Sequence, residues 1–81
     1  MTKEEILAKV IELTVEKLCV DKEVVTETTN FQNDLGADSL DQIELVMDIE
    51  KAFNIAIPDD DWYKYNTVGE AVEELSKRLT D

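Results

Sequence analysis

The sequence predicts an all-α fold, a four-helix bundle of three main helices plus one short helix. Apolar residues recur at helical spacing in three separate segments, and helix-start signals stand before them. The 81 residues include only two Gly and one Pro, which argues against a β protein rich in turns. A chain of this length has room for one limited core, so we expect a single domain over residues 1–81.

The first predicted helix begins at a capping box formed by Thr2 and Glu5. Its apolar face follows helical spacing and ends near Cys19; the face includes Ile6, Leu7, Val10, Ile11, Leu13, Lys17 and Leu18. A long connection then covers residues 20–37. Because it is too long for a structureless loop in a compact domain, we expect Val25, Phe31 and Leu35 to anchor it against the helices.

The second predicted helix runs from Asp38 or Ser39 to Phe53 and has two apolar faces. With residues about 100° apart, the stripe that the bundle must bury comprises Leu45, Val46, Ile49, Ala52 and Phe53. Leu40, Ile43 and Met47 form a second strip, with Asp41, Glu44 and Asp48 beside it. A helix that needed only a core would gain little from this strip. Exposed apolar residues rimmed by acids favour a docking surface, and the alternative is a solvated face that keeps the protein in solution.

Two more helices are predicted after the second. Pro58 and the three aspartates that follow it indicate a short helix through about Tyr65. Thr67 and Glu70 form another capping box, which starts a last helix with Val68, Ala71, Val72, Leu75 and Leu79 on one face.

The charge of the chain restricts its partners. Twenty acids against eight bases give a formal charge of −12, and the segment from Glu23 to Glu50 holds eight acids and no Lys or Arg. Nucleic acids and anionic membranes repel such a surface, so we expect partners with basic patches and a monomer. A single cysteine cannot form an internal disulfide, and there is no apolar run of membrane-spanning length or signal-peptide pattern. These features favour a cytoplasmic protein without a membrane span.

Ser39 lies in the hexapeptide Gly36-Ala37-Asp38-Ser39-Leu40-Asp41, where Asp38 is a good N-cap. The first turn of a helix has unpaired backbone N–H groups that favour a phosphate. A serine hydrolase is excluded because the chain has no histidine and no Gly-x-Ser-x-Gly motif. No calcium loop or His/Cys metal cluster fits the sequence. Ser39 is therefore either a structural helix-start residue or an ordinary hydroxyl that another enzyme modifies.

The residues around Ser39 resemble the acyl carrier protein family. Asp38-Ser39-Leu40 matches its signature, Phe31, Asp34-Leu35-Gly36-Ala37 and Glu44-Leu45-Val46-Met47 match as well, and the resemblance extends from about Ile6 to Leu79. It implies that Ser39 carries 4'-phosphopantetheine, which a phosphopantetheinyl transferase takes from coenzyme A. The thiol of that arm would hold acyl groups as thioesters for the enzymes of fatty acid biosynthesis. The protein would then be a carrier, with no catalytic residues and no metal.

The resemblance also implies two sets of functional residues. Acyl-handling enzymes with basic patches would read Asp38, Leu40, Asp41, Ile43, Glu44, Met47 and Asp48. The acyl chain would fold back between the helices, against Val10, Phe31, Leu45, Val46, Ile49, Ile57, Ala71 and Leu75. Each residue of this second set is also expected to pack in the core in the ordinary way.

Three positions depart from the family pattern. Cys19 stands where a glycine usually closes the first helix, and we expect it to be a small half-buried residue, with a modified or dimer-forming cysteine as the alternative. Trp62 and Tyr63 make the short helix more aromatic than is usual, either as extra packing or as a changed cavity mouth. Asp48 replaces a small apolar residue and adds to the docking charge. Two alternatives stay open: a specialised carrier for polyketide, lipid A, peptidyl or D-alanyl transfer, and an unmodified acidic adaptor that binds basic proteins.

Overall fold

The computed structural model describes residues 2–56 and 66–79, which form three α-helices. Helix α1 spans Lys3–Leu18, α2 spans Ser39–Phe53 and α3 spans Val68–Leu79, and a 3-10 turn covers Lys22–Val24. Extended pairing within the described ranges consists of one isolated bridge between Asn30 and Thr67. The all-α prediction is confirmed. The short helix predicted between Pro58 and Tyr65, with Ile57, Trp62 and Tyr63, lies outside the described residues.

Both capping boxes predicted for α1 and α3 are present. The Glu5 amide donates to Thr2 Oγ1 at 3.2 Å, and the Thr2 amide donates to Glu5 Oε1 at 2.9 Å. In the same way, the Glu70 amide donates to Thr67 Oγ1 at 3.2 Å, and the Thr67 amide donates to Glu70 Oε1 at 3.2 Å. These reciprocal bonds pair backbone N–H groups that the first helical turn leaves without partners, and they fix where each helix begins.

Helices α1 and α2 end at residues in the left-handed conformation. Cys19 has φ 54° and ψ 46°, and Asn54 has φ 55° and ψ 48°. The predicted end of the first helix near Cys19 is confirmed. The expectation that Cys19 is half-buried is wrong, because the left-handed turn at the end of α1 leaves this residue exposed.

The core lies where α1 packs against both α2 and α3. Its buried apolar side chains come from all three helices and from the long connection: Ile6, Val10, Val25, Phe31, Ala37, Leu45, Ile49, Phe53, Val68, Ala71, Val72 and Leu75. The predicted face of α3 is confirmed, with Leu79 half-buried at its end. Leu7, Ile11, Leu13 and Leu18 are half-buried and pack against the edge of this core.

One predicted core residue is wrong, and two buried polar residues were not predicted. Ala52 is exposed, because the buried side of α2 runs through Gln42, Leu45 and Ile49 and leaves Ala52 at its edge. Gln42 itself is buried, and its Oε1 accepts a bond from Gln32 Nε2 at 3.4 Å. Thr14 is fully buried on α1, and its hydroxyl donates to the Val10 carbonyl at 2.8 Å. A polar group can be buried in this way because its hydrogen bond is retained.

The connection between α1 and α2 is held against the start of α3. The Phe31 amide donates to the Asn66 carbonyl at 3.0 Å, and the Val68 amide donates to the Thr29 carbonyl at 3.0 Å. Val25 and Phe31 are buried and Leu35 is half-buried, as predicted. The anchored connection therefore delivers the chain to the first residue of α2 in a defined position.

Candidate attachment and docking site

The turn before α2 is set by three residues of different character. Gly36 has φ +68°, a left-handed conformation that suits glycine. Ala37 is buried, and its amide donates to the Phe31 carbonyl at 2.9 Å. Asp38 is extended and serves as the N-cap. Ser39 follows as the first residue of α2 and is exposed.

The start of α2 is capped by Asp38, so Ser39 is not needed for that task. The Asp41 amide donates to Asp38 Oδ1 at 2.8 Å, and the Asp38 amide donates to Asp41 Oδ2 at 3.3 Å. The predicted N-cap is confirmed. Helix geometry leaves the N–H groups of Ser39 and Leu40 without intrahelical acceptors, and they can favour a phosphate bonded to the serine oxygen. An exposed hydroxyl at this position fits a phosphodiester-linked group.

The second apolar strip predicted on α2 is exposed. Leu40 is 63% exposed, Ile43 40% and Met47 50%, which separates them clearly from the buried Leu45 and Ile49 on the opposite side. The strip begins directly after Ser39 and continues for two turns of the helix. An unburied apolar surface beside an exposed hydroxyl is an arrangement suited to protein docking.

The acids beside the strip fall into two pairs. Asp38 and Asp41 hold the helix start through backbone amides. Glu44 and Asp48 instead face a cation of α1: Lys17 Nζ lies 3.1 Å from Asp48 Oδ2 and 3.7 Å from Glu44 Oε2. The hydrogen bond to Asp48 is the largest influence on the pKa of Lys17, and with the nearby charges it raises that pKa despite some desolvation.

Sequence reasoning assigned Lys17 to the apolar face of α1 and did not find these ion pairs. The signal that could have revealed them is a lysine at a core-facing position, since a partly buried ammonium calls for a carboxylate within reach. Lys17 keeps 27% of its side chain exposed, so its aliphatic stem is covered and its charged end reaches the acids.

Most of the residues predicted to contact the acyl chain lie in the core. Val10, Phe31, Leu45, Ile49, Ala71 and Leu75 are all buried. Val46 is half-buried and packs against them. Ile57 lies outside the described residues.

Two of the surface grooves that described residues line lie away from Ser39. One, of about 530 Å³, follows the outer side of α1 along Leu7, Ile11 and Val15. The other, of about 380 Å³, lies between α1 and the start of α3. Neither groove includes a residue of the predicted acyl-chain set.

Residues 2–56 and 66–79 contain no group of three or more Cys, Asp or Glu side chains arranged to hold a metal ion. Among the described helices, none has the length and apolar character needed to cross a membrane.

Comparison with known proteins identifies relatives over most of the chain. Residues 8–75 match the family model described as a phosphopantetheine attachment site. An acyl carrier protein of Lactobacillus johnsonii is 53% identical over 75 residues, which cover 93% of this chain and 94% of that protein. An acyl carrier protein of Porphyromonas gingivalis is 51% identical over 75 residues, 93% of this chain and 96% of the relative. One from Guillardia theta is 51% identical over 79 residues, 98% of each chain.

Proposed function

Because the chain belongs to the acyl carrier protein family, whose matching region is a phosphopantetheine attachment site, we propose that Ser39 carries 4'-phosphopantetheine and that the protein presents acyl thioesters to the enzymes of fatty acid biosynthesis. The observation that carries the proposal is the exposed Ser39 at the first position of α2, where Asp38 already caps the helix. The hydroxyl is accessible, and α2 does not depend on it.

The attachment step is a phosphoryl transfer onto this hydroxyl. Ser39 Oγ forms a bond to the phosphorus that carries the pantetheine arm of coenzyme A, and the bond to adenosine 3',5'-bisphosphate breaks. The proton of the hydroxyl goes to a base of the phosphopantetheinyl transferase. When bound, the group supplies a thiol that holds an acyl chain as a thioester.

The role of this chain is then to hold Ser39 in position and to be recognised by its partner enzymes, which carry out the catalysis. Leu40, Ile43 and Met47 supply apolar contact beside Ser39, and the acids next to them attract basic surfaces. A charge of −12 favours approach of a cationic partner and opposes self-association, which supports a monomeric single-domain carrier. The single cysteine does not require an oxidising compartment, which supports a cytoplasmic location.

The test is modification of the purified protein. Incubation with coenzyme A and a phosphopantetheinyl transferase should raise the intact mass by one phosphopantetheine group, and Ser39→Ala should abolish the gain. Ser76→Ala removes the other serine of the chain and should leave the gain unchanged. No gain in the wild-type protein would favour an acidic adaptor instead, and a gain that persists in Ser39→Ala would move the site.

The cargo decides between fatty acid biosynthesis and a specialised carrier. Intact mass of protein isolated from its source gives the arm and the acyl group together. A series of saturated and 3-hydroxyacyl chains would support fatty acid biosynthesis, and a single aminoacyl or polyketide cargo would contradict it.

A further inference from the structure

We propose that Lys17 is an intramolecular competitor for the cations of docking partners: it occupies the acid pair Glu44 and Asp48, so a basic partner must exchange with it, and partners that present arginine are favoured over those that present lysine. The inference deepens the proposed docking role of α2 and rests on it. Its evidence is the geometry that joins α1 to the acidic side of α2.

The acid pair is placed where a docked partner would meet it. Glu44 and Asp48 are four residues apart and therefore lie on the same side of α2. Each directly follows a residue of the exposed strip, Ile43 or Met47. The side chains of Glu44 and Asp48 are 47% and 34% exposed, so they stay reachable while one ammonium lies 3.7 Å and 3.1 Å from their oxygens.

Lys17 makes the docking charge of α2 uneven. Two carboxylates that share one ammonium retain one net negative charge between them. Within residues 2–56 and 66–79, Asp38 and Asp41 accept backbone N–H bonds in the capping box, and these neutral donors do not cancel a formal charge. The stronger attraction for a cation is therefore at the end of α2 that carries Ser39, and the weaker one is two turns further on.

The exchange favours one type of cation. An ion pair near the surface is weak, so displacement of Lys17 is easily reversed. A lysine of the partner would replace one ammonium by another with little gain. An arginine can bond to a carboxylate through two parallel N–H groups, which gives it an advantage that Lys17 cannot match. The acid pair therefore selects by the geometry of the incoming group as well as by its charge.

The test compares Lys17→Gln with Lys9→Gln, which makes the same change in charge. Lys9 pairs with Glu12 at 3.7 Å within α1 and does not contact the acid pair. The probes are hexaarginine and hexalysine amides, titrated at low ionic strength into unmodified protein while NMR follows the carboxyl carbons of Glu44 and Asp48. Thermal unfolding of each variant confirms that it is folded.

Wild-type protein should bind hexaarginine more tightly than hexalysine at Glu44 and Asp48. Lys17→Gln should tighten binding of both peptides there by about two- to fivefold, the range expected for a partly exposed ion pair. Because both peptides displace the same Lys17, the gain should be equal for the two, and the preference for arginine should be retained. The proposal is overturned if Lys17→Gln binds no more tightly than Lys9→Gln, or if wild type shows no preference at this pair.

A second measurement separates this inference from the proposed function. The transferase should show a lower KM for Lys17→Gln and an unchanged kcat, since the substitution improves docking and leaves Ser39 alone. A peptide result as expected with no mass gain at Ser39 would overturn the carrier function and keep the role of Lys17. A normal mass gain at Ser39, with peptide binding unaltered in Lys17→Gln, would support the carrier function and overturn the role of Lys17.

Discussion

Cys19 and Asn54 end their helices in the same left-handed conformation but tolerate it differently. Asparagine adopts positive φ more readily than other residues with a Cβ, because its short amide can bond locally to the backbone. Cysteine has no such compensation, and the crowding of its Cβ against the following carbonyl costs about 1–2 kcal/mol. Cys19, at φ 54°, therefore holds local strain at the end of α1.

We expect Cys19→Gly to stabilise the protein. Glycine removes the crowded Cβ but loses about 0.5–1 kcal/mol through greater freedom of the unfolded chain, so the net gain should be about 0.5–1 kcal/mol. Urea denaturation measures it. Cys19→Ala is the control, because it removes the thiol and keeps the Cβ, and it should give no gain. Equal denaturation midpoints for the Gly and Ala variants would contradict the interpretation.

Single positions differ in how far the sequence can predict them. Ser39 and its cap Asp38 could be predicted, because the capping signal and the start of the apolar pattern are adjacent in the chain. The pairing of Lys17 with Asp48 could not, since it depends on how α1 is rotated against α2. The exposure of Cys19 could not be predicted either, because it depends on the left-handed backbone turn at the end of α1 and not on the residue type.

The contact between residues 27–31 and the start of α3 depends on the absence of a side chain at Gly69. The Gly69 amide donates to the Glu27 carbonyl at 2.8 Å. A Cβ on Gly69 would lie 2.9 Å from that same carbonyl oxygen. The obstructing atom belongs to the backbone, so a rotamer change cannot relieve the clash.

Gly69→Ala should destabilise the protein by about 1–3 kcal/mol, the usual cost of overpacking. Helix propensity alone predicts the opposite, a gain of about 1 kcal/mol for replacing glycine within a helix. Thermal or urea denaturation distinguishes the two signs. A more stable Gly69→Ala variant would mean that the connection is free to move away from α3.

Helices α1 and α3 are also joined by an ion pair whose contribution depends on pH. Lys3 Nζ lies 2.6 Å from Glu73 Oε1, and the hydrogen bond from Lys3 is the main cause that lowers the pKa of Glu73 below 4.5. A carboxyl with a lower pKa in the folded state stabilises the protein at pH values above 4.5. That contribution is lost as the pH falls through the lower, folded-state pKa.

Glu73→Gln should therefore reduce Tm at pH 7 relative to Glu23→Gln, and the difference should shrink as the pH falls below 4.5. Glu23, an exposed acid of the 3-10 turn, is the control, because its removal reports the general effect of one less negative charge. Differential scanning calorimetry from pH 3 to 7 measures both variants. The exposure of this pair keeps the expected effect small. A Tm difference between the two variants that grows in acid would contradict a stabilising Lys3–Glu73 ion pair.

The three helices together follow from the periodicity of the sequence, and the details of the core do not. Each helix begins at its capping box and buries most of the apolar residues expected of it. Ala52 is exposed against expectation, and the burial of Thr14 and Gln42 was not predicted, because burial also depends on the rotation of a helix about its axis. A period of 3.6 residues fixes which residues share a face, but packing decides where the buried face is centred.

The core is also the part of the protein that an acyl chain would enter. Six of the residues expected to contact it are already buried against one another, so an entering chain must displace some of their contacts. Burial of each CH₂ is worth about 0.8 kcal/mol, and six of them give about 5 kcal/mol before that cost. This is comparable to the total stability of a small domain. Loading should therefore stabilise the folded state.

We expect Tm to rise with the length of the acyl chain, by about 4–8 °C for each net kcal/mol gained. Acetyl, butyryl, hexanoyl and octanoyl forms can be made by transferring the acylated phosphopantetheine group of the matching acyl-coenzyme A to Ser39. Calorimetry gives their Tm values. As a control, an octyl group attached to Cys19 adds the same apolar mass at an exposed residue at the end of α1. It should leave Tm unchanged or lower it. Equal Tm values from acetyl to octanoyl would show that the chain stays outside the core.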